Sequence, residues 1–295
     1  MHKSFTLIEI LVVIVIVGII SAFIIVSMSG VSDKARIAKG QAFSNSLKNS
    51  LLMNLVSEWR LDDASGTTAQ DQWGANTGTW YGAGGGNYTS PSWRTSSECV
   101  SGGCLAFDGT DDYVDCGSDS SLDITDAITI AGWFYRIGPN IRAYTEDWIG
   151  KRSGGSKYVV SGTSSAKLVL SVDGVQDTTA THSVPISSNT WTYLAYTYNS
   201  STATGRAYKN SLQYGEDFVL SGKTSYKIDS FPAVTLKLSS SAYTVNGKLD
   251  DVRIYNSVIP TSRIQQNYYS GLSRLLVNKI IDSQEYVKRL ALGEN

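Results

Sequence analysis

The chain has 295 residues, with 25 Lys and Arg against 26 Asp and Glu, two His and three Cys. This length suits one large domain or two smaller ones, with ample sequence for a core. A formal charge of −1 supplies no basic field for nucleic acid, and two imidazoles exclude most zinc and Ser-His-Asp chemistry. Charged residues are 17% of the chain, and its wealth of Ser, Thr, Gly, Asn and Tyr suits short strands and tight turns on an extracytoplasmic protein.

The amino terminus stands apart. From Phe5 to Met28 the sequence is apolar except for one ionisable residue, Glu9, and the 19 residues from Ile10 to Met28 carry no charge. As a helix rising ~1.5 Å per residue they span roughly 28 Å, close to the hydrocarbon thickness of a bilayer. A secretory signal peptide is the plain alternative. Against it, the leader is only MHKS, the apolar run exceeds an ordinary signal core, and no small-x-small cleavage site follows. Instead Val31, Ala35, Ala38 and Ala42, then Phe43, Leu47, Leu51 and Leu55, recur every three or four residues, opposite Lys34, Lys39, Gln41, Asn45 and Lys48. That stripe predicts one helix over residues 5–57, reaching ~80 Å, with residues 5–28 as its transmembrane or filament-core part.

Glu9 needs a reason. A carboxylate near the end of a membrane helix costs ~2–3 kcal/mol unless it is paired; hydration at the interface is the plain alternative. The run Lys3-Ser4-Phe5-Thr6-Leu7-Ile8-Glu9 resembles the processing site of type IV prepilins and type II secretion pseudopilins. The resemblance implies that residues 1–4 are a leader, that a prepilin peptidase cuts between Ser4 and Phe5, and that the new Phe5 amino group is methylated. It also implies that Glu9 neutralises the amino terminus of a neighbouring subunit during assembly. The chain departs from the family at Ser4, where Gly is usual, and lacks the helix-kinking Pro common further along.

Past Trp59 the pattern changes to short alternating runs broken by Gly, Asp, Asn and Ser. Residues 105–109, 112–117, 127–136, 167–174, 190–199, 233–240 and 248–256 read as strands, and without intervening helices they predict an antiparallel sandwich. Asp108-Gly109, Asp173-Gly174 and Asn246-Gly247 read as hairpin turns. Trp133, Phe134, Trp191, Tyr193, Tyr196 and Tyr198 are the expected filling between the sheets.

The segments 59–80, LAFDGTDDYVDCG (105–117), 127–136, 190–199 and 247–271 resemble, in the family's order, the laminin-G-like or concanavalin-A-like jelly rolls. The resemblance places the sandwich at residues 58–271. The expected fold is thus a long N-terminal α-helix plus an all-β antiparallel sandwich, ending in a short helical tail at 272–295. Glucanases of this fold need carboxylates spaced E-x-D-x-x-E on one strand. Within the sandwich Glu occurs at Glu58, Glu98, Glu146 and Glu216, none in that pattern, so no catalysis is expected.

Relatives of this fold often carry calcium or glycan sites on their loops. No cofactor is required here, and calcium is the candidate ion: Asp62, Asp108 and Asp251, with Asp63, Asp71, Asp111, Asp112 and Asp250, offer hard oxygens, although turn capping accounts for most such aspartates. Trp73, Trp80, Tyr81, Tyr88 and Trp93 are the candidate stacking surface for a glycan; the alternative is a flap packed on the sandwich. Cys99 and Cys104 bracket VSGG, a loop able to close into a disulfide ring outside the cytoplasm. Cys116 is then a buried thiol, with its pairing to either partner left open. In the tail, Leu272, Leu275, Leu276, Ile280 and Ile281 form one helical stripe and Tyr286, Val287, Leu290 and Leu292 a second, with Asp282 or Ser283 capping between them.

The expected function is a structural subunit of a type IV pilus-like filament, minor, tip or major, that displays a lectin-like domain for adhesion. The alternatives are a membrane-anchored carbohydrate-binding protein that does not polymerise and a type II secretion pseudopilin. The expected partners are other pilin subunits, alike or different, the prepilin peptidase, the bacterial inner membrane before assembly and a glycan or other surface ligand outside the cell; no nucleic acid is expected.

Overall fold

Strand Leu55–Trp59 (β1) opens a run of short strands that continues to Tyr255. The computed structural model describes residues 8, 11–16, 54–82, 92–138 and 145–292. The chain divides into two units, residues 1–53 and 54–295. In the first, Ile8 and residues 11–16 are helical and exposed. Among the described residues no helix is long and apolar enough to cross a membrane. Ser4, Phe5, Glu9 and the rest of the expected helix up to residue 53 lie outside the described residues.

The second unit is two antiparallel sheets. One runs, in spatial order, through β15 (Leu212–Gln213), β14 (Thr204–Lys209), β13 (Trp191–Asn199), β7 (Ala127–Arg136), β18 (Asn246–Tyr255), β5 (Cys104–Asp108) and β4 (Ser92–Arg94). To it are added β1, paired with β18, and β16 (Phe218–Val219), paired with β14. The other runs through β11 (Val175–Thr179), β10 (Ser165–Val172), β9 (Ser156–Ser161), β8 (Asp147–Arg152), β17 (Leu236–Leu238), β6 (Tyr113–Asp115), β3 (Gly78–Tyr81) and β2 (Thr68–Ala69), with β12 (Val184–Pro185) on β10.

The pleat explains why both faces of the first sheet are apolar. Side chains alternate along a strand, so Ile128, Ile130 and Phe134 of β7 and Leu194, Tyr196 and Tyr198 of β13 enter the core between the sheets. Trp133 and Tyr193, directly opposite each other in register, point the other way and are still fully buried. Helix α1 (Thr261–Val277) covers them. Its buried residues Ile264, Tyr268, Gly271, Leu272 and Leu275 follow the helical period and make one apolar stripe. Tyr268 stacks on Trp133 at 5.7 Å between ring centroids, and the indole also meets Tyr193 at 5.4 Å. Three of the six aromatics expected between the sheets, Trp133, Trp191 and Tyr193, therefore lie on the outer face of the first sheet.

Two element boundaries differ from expectation. Leu55, assigned to the helical stripe, belongs to β1, because its partner strand β18 is almost two hundred residues away and leaves no local signal. The helical tail begins at Thr261 and passes through Gly271. A second helix, α2 (Ser283–Ala291), is capped by Asp282, whose side chain accepts from the Glu285 amide at 2.8 Å. Of the expected turns, Asp173-Gly174 joins β10 to β11 with positive φ at both residues, 56° and 70°, as a two-residue hairpin demands. Asn246-Gly247 is no turn. It opens β18, and a Cβ on Gly247 would overlap the Tyr135 carbonyl oxygen, so glycine is needed there for close approach of two backbones.

Candidate functional site

Cys99 and Cys104 are bridged, and Cys116 is a buried thiol pushed well up by burial. Carboxylates hold the disulfide loop. Asp250, fully buried, accepts from the Val100 and Ser101 amides at 2.8 and 3.0 Å, and Asp62 accepts from the Gly103 amide at 2.6 Å. Asp251, at a bulge in β18, pairs with Arg253 at 3.4 Å and with Arg274 of α1 at 3.3 Å. Burial, then the nearby Asp251 charge, pushes the Asp250 carboxyl well up; burial also raises the Asp62 carboxyl. Asp62 and Asp251 therefore serve as structural anchors for the loop and α1, which corrects their expected place beside Asp108 around a cation.

Asp108 joins other partners. β5 ends at Asp108, Gly109 turns the chain with a φ of 80°, and β6 begins at Tyr113, so the connection crosses from one sheet to the other. On it, Asp108, Asp111 and Asp112 each bring a carboxylate oxygen within 4.8 Å of the others. Asp108 accepts from the Thr110 amide at 2.7 Å, and Asp112 from the Asp108 amide at 2.9 Å. The second carboxylate oxygen of Asp108, Oδ2, is buried with no hydrogen-bond partner among the described residues. Burial, then the charges of Asp108 and Asp111, pushes the Asp112 carboxyl up to about 6. Gathered carboxylates with an unsatisfied oxygen suit a hard divalent cation, and Asp108, Asp111 and Asp112 would hold it, supplying charge balance and cross-linking the two sheets. Calcium at about 100 times its Kd is expected to stabilise the fold by ~2.7 kcal/mol, and Asp112→Asn to remove most of that gain. A thermal melt that is the same in calcium and in chelator would sink the assignment.

The expected stacking surface comes apart. On β3, Trp80 is buried in the inter-sheet core while Tyr81 is exposed and stacks on Tyr113 at 5.2 Å. Trp93 packs against the core and donates its indole N–H to the Gly66 carbonyl at 2.8 Å. Trp73 is exposed, and Tyr88 lies outside the described residues. Alternation on β3 dictates that Trp80 and Tyr81 cannot share a face, which corrects the grouping. The glutamates are also dispersed. Glu58 accepts from Arg253 at 2.7 Å, Glu98 pairs with Lys248 at 2.6 Å, and Glu216 is exposed. Burial pushes the Glu146 carboxyl up to about 8.

A further feature has no signature in the sequence. A cleft of about 360 Å³ opens on the outer face of the second sheet, lined among others by Asp147, Arg152, Lys237 and Tyr243. β8 and β9, which carry part of it, have no clean alternation, and nothing local marks Arg152 or Lys237 as neighbours.

Two antiparallel sheets enclosing one core, with the central strands β7 and β18 paired to partners distant in sequence, define a jelly-roll sandwich of the lectin type. Residues 108–265 match the family model described as the concanavalin A-like lectin/glucanases superfamily, and the chain belongs to that family. Residues 1–25 match the prokaryotic N-terminal methylation motif. The chain thus joins a pilin-like methylation motif to a lectin-like domain. The motif implies processing by prepilin peptidase, pilin-like assembly partners, an inner-membrane precursor and a secreted or surface-exposed mature form.

No curated protein matches the chain. Among solved structures, the binding domain of Paraclostridial Mosquitocidal Protein 1 is similar at 14% identity and a TM-score of 0.56, with 75% of this chain and 53% of that one covered. The receptor-binding domain of a botulinum neurotoxin mosaic serotype C/D is similar at 9% identity and 0.56, covering 75% and 52%. Domain 4 of AbnA, an extracellular arabinanase from Geobacillus stearothermophilus solved in complex with arabinotriose, is similar at 14% identity and 0.50, covering 73% and 98%. The chain spans about half the length of the first two. At these identities the likeness is one of fold.

Proposed function

We propose that this protein is a structural subunit of a type IV pilus-like filament, a minor or tip pilin or a major pilin with a large headgroup, whose sandwich acts in surface recognition and adhesion rather than in catalysis. The observation that carries this reading is the fusion itself: a methylation motif over residues 1–25 precedes a unit with its own closed core. An apolar helix needs no partner in lipid but must be covered outside it, and bundling with copies of itself covers it. The paired Glu9 then drives assembly, because an unpaired intramembrane carboxylate is costly. On this reading residues 1–4 leave as the leader, and the headgroup comprises the sandwich with its C-terminal helices.

The test is the mature amino terminus. Protein from the cell surface is expected to begin with N-methylated Phe5, seen by mass spectrometry of the intact chain and its N-terminal peptide. Retention of MHKS on surface protein would favour a plain membrane anchor.

A further inference from the structure

We infer that Glu146 and Arg136 form a proton-operated latch at one end of the sandwich. While Glu146 keeps its proton, Arg136 holds down the turn at Ser188; once the proton leaves, the carboxylate draws Arg136 away. The inference concerns the sandwich alone and is independent of filament assembly. Alternation places the two groups. On β7, Phe134 enters the core between the sheets, so Arg136, two residues on, points the same way. On the facing sheet Asp147 lines the outer cleft, so its neighbour Glu146 points inward. Phe134 and Trp148 meet edge to face at 5.3 Å, which brings both charged residues to the same end of the core. Both are buried, Glu146 with no exposed surface at all. Yet neither carboxyl oxygen of Glu146 has a hydrogen-bond partner among the described residues, and neither does Arg136 Nε.

Arg136 is engaged elsewhere. Its Nη1 donates to the Ser188 hydroxyl at 3.0 Å, and its carbonyl accepts from the Asn189 amide at 2.7 Å. Asn189 has a φ of 56°, so Arg136 pins a tight turn that leads directly into β13. The surroundings of Glu146 supply no other charge. From β9 and the residue after it, the Ser161 hydroxyl and the Gly162 amide donate to the Glu146 carbonyl at 3.3 and 2.8 Å, and neither group ionises. Asp147 is turned outward and paired with Arg152. Arg136 is thus the one charged group that acts on Glu146 among the described residues. A carboxylate without donors or water is costly where the neutral acid is not. Burial accordingly pushes the Glu146 carboxyl up to about 8, against the pull of Arg136. The unfolded chain releases the same proton in the ordinary carboxylate range. Between those two values the folded state holds one proton more, so its stability is complete in acid and is lost as pH climbs to about 8. The anion that forms has a single cation to recruit, and it does so at the expense of the Ser188 bond.

The test is a set of urea melts of the full chain in detergent micelles at pH 6 and pH 8. Glu146→Gln keeps the shape and removes the titration, so comparison with it cancels every other group that ionises in this window. The folding equilibrium constant of the unaltered chain is expected to fall more than tenfold further than that of Glu146→Gln between the two pH values. Infrared spectra are expected to show a protonated-carboxyl C=O band that disappears near pH 8. Hydrogen exchange over residues 186–190 is expected to quicken across the same range. Ser188→Ala, at an exposed position, keeps the test open if Glu146→Gln folds poorly. It frees Arg136 to serve Glu146 and is expected to move the decline and the band about one pH unit towards acid, a tenfold change in the proton's affinity. The latch is overturned if the unaltered chain and Glu146→Gln lose stability in parallel. It is equally overturned if no protonated-carboxyl band is lost near pH 8, if exchange at 186–190 ignores pH, or if Ser188→Ala leaves the decline in place.

Discussion

Replacing Glu9 with glutamine is expected to reduce surface filaments more than tenfold while leaving the precursor inserted in the membrane at its normal level. The substitution makes the segment from Phe5 to Met28 uniformly uncharged, so insertion becomes easier and a folding defect does not explain lost filaments. What disappears is the reason to leave the lipid for the bundle. An unpaired carboxylate in the apolar region costs ~2–3 kcal/mol, and on the proposed reading a neighbour relieves that cost by bringing its positive amino terminus alongside. Each added subunit repeats the gain, so a tenfold loss of affinity per step, about 1.4 kcal/mol, compounds along a growing filament. Filament mass sheared from cells and weighed against membrane-bound precursor measures the effect. Normal filament yield from the Glu9→Gln chain would end the charge-pairing account and, with it, the main argument for polymerisation.

What could be read from the sequence was what local rules govern. Residues 127–136 are rich in β-branched and aromatic side chains and form β7 as expected, and Asp173-Gly174 makes its hairpin because both positions tolerate positive φ. The Cys99–Cys104 ring is local too, its bridged positions only five apart in sequence. What local rules do not govern was missed. Leu55–Trp59 continues a helical stripe in sequence yet pairs with Val252–Tyr255, a partner far beyond any local window. Asn246-Gly247 has turn chemistry, but its glycine serves a close backbone approach to Tyr135. Aspartates are plentiful enough to suggest a cation, yet only the fold reveals that Asp108 gathers with Asp111 and Asp112 while Asp62 and Asp251 tether a loop. The cleft at Arg152 and Lys237 brings together residues from strands that are neighbours in space and distant in sequence. A sheet assembled from such pairings hides its outer face from any one-dimensional reading.

The C-terminal helix offers the sharpest test of how the sandwich is held. Alanine is worth about 1 kcal/mol more than glycine in a helix interior, so Gly271→Ala in the middle of α1 would normally stabilise. Here the opposite is expected. A Cβ on Gly271 would overlap the indole of Trp133, and that indole is fixed between Tyr193 and Tyr268 with no exposed surface to move into. Overpacking of this kind costs ~1–3 kcal/mol, enough to reverse the sign set by helix propensity. Trp133→Ala is expected to cost more, ~3–5 kcal/mol, because it empties the layer between the sheet and α1. The two changes share one space, so the double variant should be more stable than the sum of the single losses predicts: the cavity left by the indole receives the new methyl group. Denaturant melts of the four chains measure all three quantities. A stabilised Gly271→Ala chain, or strictly additive losses, would mean that α1 does not rest on Trp133. The outer face of the first sheet would then need another cover, since Trp133 and Tyr193 side by side make an apolar surface that a headgroup displayed in water cannot leave bare.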